Sequence, residues 1–148
     1  MTHHSYDEGW ATTSAAEHDL EAIAARDRLD VRLACTSFAV NPPRVLVTVE
    51  DGVGPRDVPT GRAFRFPGVE RLTGSLRADA VIAGSAIDQV VLVGGGPVAP
   101  DAPIDTGGFV RPVYADGLLV LTVRPGPDGV FLPFERRDPT PCCAPHSG

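Results

Sequence analysis

Residues 29–50 read LDVRLACTSFAVNPPRVLVTVE. Leu29, Val31, Leu33 and Cys35 alternate with Asp30, Arg32, Ala34 and Thr36. A side-chain period of two places the first set on one face of a half-buried strand. Asn41-Pro42-Pro43 ends that strand, because proline has no N–H to give to a ladder. Arg44–Glu50 then resumes as a second strand. This pair sets the expectation of a mainly β protein.

Upstream the period is helical. Ser14-Ala15-Ala16-Glu17 has the form of a capping box, in which the serine accepts a free backbone N–H and the glutamate reaches back. Ala16, Leu20, Ile23 and Ala24 share one face of the segment that follows, to about Arg28. Glu17, Asp19 and Glu21 are expected to face solvent. Residues 1–13 are polar and without periodicity, so they read as a flexible tail, with Trp10 the one large side chain that could dock.

Downstream, strands are predicted over Gly61–Phe66, Arg77–Ala83, Asp88–Val93, Phe109–Ala115, Leu118–Arg124 and Gly129–Glu135. Gly84-Ser85 turns the second into the third. Asp116-Gly117 is the strongest hairpin signal of the chain. One N-terminal helix followed by about eight short, mostly antiparallel strands defines a β-rich α+β fold, a sandwich or a small barrel. The expected domain is residues 14–135, with an extended, Pro-rich and Cys-containing tail over 136–148.

The composition agrees with this. Fifteen prolines, none before Pro42, exclude an all-helical bundle. A chain of 148 residues suits one domain that needs no disulfide or metal to hold its core. The net charge of -6 and the scattered arginines argue against a nucleic-acid or membrane partner. The first residues have neither a basic nor an apolar region of signal-peptide type, so a cytoplasmic location is expected. All 13 basic residues are arginine. That fits the codon bias of a GC-rich, bacterial genome. It also means that a cationic site here reads planar anions and has no lysine amine to use.

Three places could carry chemistry. Arg62, Arg65 and Arg111 lie in predicted strands among aromatic residues, including Phe66 and Tyr114. An arginine pointing inward could bind a carboxylate or enolate, with Phe64, Phe66, Phe109, Tyr114, Phe131 and Phe134 as candidate lining. Cys142, Cys143 and His146 form a Cys-Cys-x-x-His run suited to zinc or copper, with Cys35, His3, His4 or His18 as the further ligands a closed site needs. Cys35 itself reads as a small buried hydrophobe. Gly94-Gly95-Gly96-Pro97-Val98-Ala99 has the letters of a dinucleotide fingerprint, but its prolines forbid the helix that fingerprint requires.

Asp105-Thr106-Gly107 resembles the catalytic triplet of aspartic peptidases. That family needs a second triplet and a longer lobe, so no residue role is carried over. Residues 114–123 and Val130-Phe131-Leu132 resemble the terminal hairpin and anchor of small heat-shock domains. Membership is not inferred, because that family's other segments have no counterpart upstream. Three functions therefore compete. The first is a non-catalytic β-rich binding or assembly domain with a protein or small-molecule partner, including a second copy. The second is a small β-barrel enzyme or carrier for an apolar, anionic metabolite. The third is a metal- or thiol-handling protein.

Overall fold

The computed structural model describes residues 2–51 and 61–135. The strands are β1 (Thr2–Trp10), β2 (Val31–Ala39), β3 (Arg44–Asp51), β4 (Gly61–Arg65) and β5 (Ser75–Arg77). They continue with β6 (Gln89–Leu92), β7 (Pro103–Asp105), β8 (Val113–Ala115), β9 (Leu118–Pro125) and β10 (Phe131–Pro133). The α-helices are α1 (Thr13–Asp27) and α2 (Ala78–Ala83). All ten strands belong to one sheet, ordered β1-β3-β2-β4-β8-β9-β10-β7-β5, with β6 also paired to β9. The β-rich α+β architecture predicted from the sequence is present, and the sheet is not closed into a barrel. Pairing is antiparallel except for β6 with β9 and β7 with β10.

The central strands are covered on both faces. Val45, Val47 and Val49 of β3 join Ala34, Phe64 and Trp10 under Ala16, Leu20 and Ile23 of α1. Leu33, Cys35 and Ala63 point the other way, into a larger cluster with Val81, Ile104, Tyr114, Leu119, Leu121 and Val123. This is why β2 is buried continuously from Leu33 to Thr36 instead of alternately. Gly61 permits the β2–β4 approach. A Cβ there would lie 2.9 Å from the Thr36 carbonyl oxygen and 3.0 Å from Cys35 Cβ. The Asp116-Gly117 hairpin forms as predicted, with both residues at positive φ (53° and 80°) as a type I′ turn demands.

Several expectations are corrected. Most of the expected flexible N-terminus is β1, antiparallel to β3 from Thr2↔Asp51 to Trp10↔Val45. An edge strand needs little apolar alternation, so its sequence carries almost no signal. The cap of α1 is Thr12, not Ser14; its Oγ1 accepts from the Ala15 N–H at 3.1 Å. The segment expected as a strand over 77–83 is mainly the short helix α2. Alanine favours helix, and Ala78 and Val81 bury one face at i, i+3. The predicted strand 109–115 is ordered as β8 only after Pro112, which cannot donate to a ladder. The predicted strand 129–135 shortens to β10. The three-residue strands β5 and β7 were not anticipated; they are too short for periodicity to mark.

Tyr6 on β1 donates to Asp27 Oδ2 at 2.6 Å, tying the edge strand to the end of α1. Burial, then this hydrogen bond, push its pKa from 10.0 up to about 12. A phenol that holds its proton more tightly when folded adds stability below pH 10.0 that is lost as pH rises through about 12. Tyr6→Phe is therefore expected to flatten the fall of melting temperature across that window. Unchanged slopes in melts of wild type and variant would show that the bond does not couple to folding.

Candidate functional site

The face that carries α1 is only partly covered by it. In the antiparallel register Thr36 faces Arg62, Arg62 faces Val113, and Val113 faces Val120. Directly paired residues share a face, so α1, Arg62, Val113 and Val120 lie on one side. Arg62 and Arg111 meet α1 at the edge of this cover. Glu17 receives Arg62 Nη1 on Oε2 at 2.7 Å and Arg111 Nε on Oε1 at 3.0 Å. Glu135, arriving from the other end of the chain, takes a second hydrogen-bonded contact from Arg62. The Arg111 guanidinium lies over the Phe109 ring, 4.0 Å from its centroid, and Arg62 lies 6.0 Å away. A cation held against a ring face is attracted by its quadrupole.

Burial separates the two carboxylates. Arg62, Arg111 and Glu17 are 16%, 15% and 14% exposed, whereas Glu135 is 37% exposed. Burial works against the Arg62 charge, but the hydrogen bonds it donates to Glu135 and Glu17, and their charges, outweigh it and raise its pKa. Glu17 and Glu21 are one helical turn apart and face Arg62 and Arg65 of β4. Of the three acids expected to face solvent, Glu17 is turned inward at 14% exposure, whereas Glu21 is 72% exposed. The third, Asp19, accepts from Trp10 Nε1 at 2.7 Å.

Beyond the ion cluster the same face is open and apolar. Val93, Val113 and Phe134 are 49%, 44% and 58% exposed. With Val120, Thr122, Arg111 and Glu135 they line a cavity of about 220 Å³. A smaller one of about 140 Å³ is also lined by Glu135, with Asp105, Thr106, Phe109, Leu132 and Pro133.

The structure brings together two of the residues singled out from the sequence, Arg62 and Arg111, with Phe109 as their lining. Arg65 instead pairs with Glu21 in a more exposed place, beside a broad groove along Val31, Phe64 and Glu70. Phe66 and Tyr114 are core residues, each 2% exposed. Cys142, Cys143 and His146 lie outside the described residues. Cys35 is buried in the larger core cluster. Among the described residues no group of three or more His, Cys, Asp or Glu is placed to hold a metal ion. Gly94-Gly95-Gly96 is a turn closed by Leu92, whose N–H donates to the Gly96 carbonyl at 2.8 Å. Asp105 accepts from the Gly107 N–H at 3.1 Å, and Thr106 Oγ1 donates to the Gly74 carbonyl at 2.9 Å, so that triplet shapes its own turn. Glu50, near the end of β3, is fully buried beside Leu33. No described helix is long and apolar enough to cross a membrane.

Sequence reasoning missed Glu17 and Glu135 as members of the site. Glu17 borders the apolar stripe of α1, a place where an acid can reach a facing cation, and that was the only available signal. Glu135 had none. Comparison of the chain with protein-family models, curated proteins and solved structures finds no match.

Proposed function

We propose that this chain is a non-catalytic β-rich binding or assembly domain, and that it binds through the open half of the α1 face. The observation that carries this reading is the exposed apolar set Val93, Val113 and Phe134 on one continuous sheet face, beside a formed ion cluster. Apolar surface gathered in this way, rimmed by charge, is the usual mark of a contact site. The remaining core positions of β8 and β9 are filled, so the face gains nothing for the fold by being apolar.

A second reading is favoured by Arg111 standing at the wall of the apolar cavity. A small carrier for an apolar anion needs little more than that combination. A metal or thiol role for Cys142, Cys143 and His146, with zinc or copper, remains the third proposal and rests on the sequence run alone.

Native mass spectrometry of the full chain tests the first reading. The expected result is an occupied species, either a dimer or a monomer with retained mass. Val113→Asp should return the bare monomer while leaving the melting temperature near wild type, because the side chain is half exposed. Wild type that is bare throughout, or a variant that keeps the same occupant, would place the contact surface elsewhere.

A further inference from the structure

We infer that Arg62, joined to Arg111 through Glu17, forms a carboxylate-binding site, that Glu135 is its internal and displaceable occupant, and that its ligand is a small apolar monocarboxylate. The inference rests on reading the open face as the contact surface, and the experiment below separates the two.

The argument starts from charge. Two guanidinium groups face one deeply held carboxylate, Glu17, which bridges both. Glu17 sits within α1, beside the core residues Ala16 and Leu20, and its carboxylate is held by both arginines at 14% exposure. The second negative charge is Glu135, more than twice as exposed, and held from 73 residues away by Arg62. Glu135 lines both cavities that flank the cluster. When it swings out, the Nε edge of Arg62 is freed where Glu135 had stood, beside the cavities that Glu135 lines, and the site keeps one uncompensated positive charge. That charge matches a monoanion and is over-compensated by a dianion.

Geometry then selects the anion. Arginine forks read planar, two-oxygen acceptors best. The fork that Glu135 occupies is that of Arg62, since Arg111 gives Nε and Nη2 to Glu17 and Nη1 to the Val110 carbonyl. Replacing one carboxylate by another leaves the arginines' hydrogen bonds intact, so no buried charge is stranded during the exchange. The net gain must come from the ligand's apolar part, which would lie along Val113, Val120 and Val93. The cavity there, about 220 Å³, has the volume of roughly seven waters in liquid. That suits a chain of medium length, as in octanoate.

Octanoate is the probe. It is titrated into the full chain at neutral pH, with backbone amide resonances followed by NMR. Wild type should show saturable shifts at Val93, Val113 and Val120. Affinity should rise about fourfold per methylene from butyrate to octanoate. Glu135→Gln removes the competing charge from a partly exposed position, so it should fold as wild type and bind octanoate about tenfold tighter. Neutral 1-octanol should bind at least tenfold more weakly than octanoate. Arg62→Gln should abolish the difference between acid and alcohol, with a thermal melt confirming that the variant is folded. Equal affinities of wild type and Glu135→Gln would overturn the displacement step. Octanol binding as well as octanoate would overturn the carboxylate site while leaving the open face as a contact surface. Absence of any shift would overturn the ligand class, and the oligomer measurement would then judge the binding reading by itself.

Discussion

Glu17→Gln is expected to lower the unfolding free energy by about 3 kcal/mol, the low end of the range for removing one partner of a buried ion pair. The amide keeps the shape and one acceptor but leaves Arg62 and Arg111 facing each other with a single carboxylate, Glu135, bound to only one of them. The three inner groups are about 15% exposed, so residual solvation and Glu135 keep the loss from the top of that range. For a chain of this size the loss corresponds to a fall of roughly 6–12 °C in melting temperature. Calorimetry of the variant measures it. Glu21→Gln is the matched control. Its partner Arg65 is 42% exposed and Glu21 is 72% exposed, so the change should stay within about 0.5 kcal/mol. Adding Arg111→Met to Glu17→Gln should recover part of the loss, because it removes the stranded charge. Equal melting temperatures for the Glu17 and Glu21 variants would mean that the cluster is solvated and carries no stability.

Trp10→Ala should be more damaging, at about 3–5 kcal/mol, the range for truncating a large buried aromatic. Trp10 is 7% exposed, ends β1, and packs into the cluster beneath α1. Its indole N–H donates to Asp19 at 2.7 Å, so one side chain joins the edge strand to the helix. Denaturant unfolding followed by circular dichroism reads the loss, since the variant lacks the chain's only tryptophan. Limited proteolysis should then cut first within residues 2–10. Trp10→Phe keeps most of the packing and loses only the hydrogen bond, so it should cost about 1 kcal/mol. A Trp10→Ala midpoint equal to wild type would mean that β1 is dispensable to the fold.

The two variants bear on what could be read from the chain alone. Trp10 was recognisable as a side chain able to dock, but the strand that presents it was not. In an interior strand the faces are sorted by apolar alternation, as in Leu33–Cys35 and Val45–Val49. In an edge strand such as β1, backbone pairing and a single anchoring residue suffice. The helix α1 was legible from its apolar stripe, yet its cap fell at Thr12 because Ser14 lies inside the first turn. In 77–83, alternation and helical spacing both fitted the letters RADAVIA. The helix prevailed because Ala78 and Val81 could bury together against the sheet.

The candidate site divides in the same way. Arg62, Arg111 and Phe109 could be chosen from the sequence because arginines beside aromatic residues within predicted strands are conspicuous. Their partners could not. Glu17 is 45 residues from Arg62 and 94 from Arg111, and no local pattern couples positions that far apart.

By itself the sequence determined the β-rich class, the leading helix, the paired strands around Asn41-Pro42-Pro43 and the Asp116-Gly117 hairpin. Each of these is governed by side-chain period, φ preference or proline chemistry acting over a few residues. The tertiary structure alone decided that β6 runs parallel to β9, that α1 covers only part of one face, and that Glu17 and Glu135 close on Arg62. Those outcomes depend on how layers distant in the chain come to lie against one another, and burial and charge pairing act on that arrangement only once it has formed.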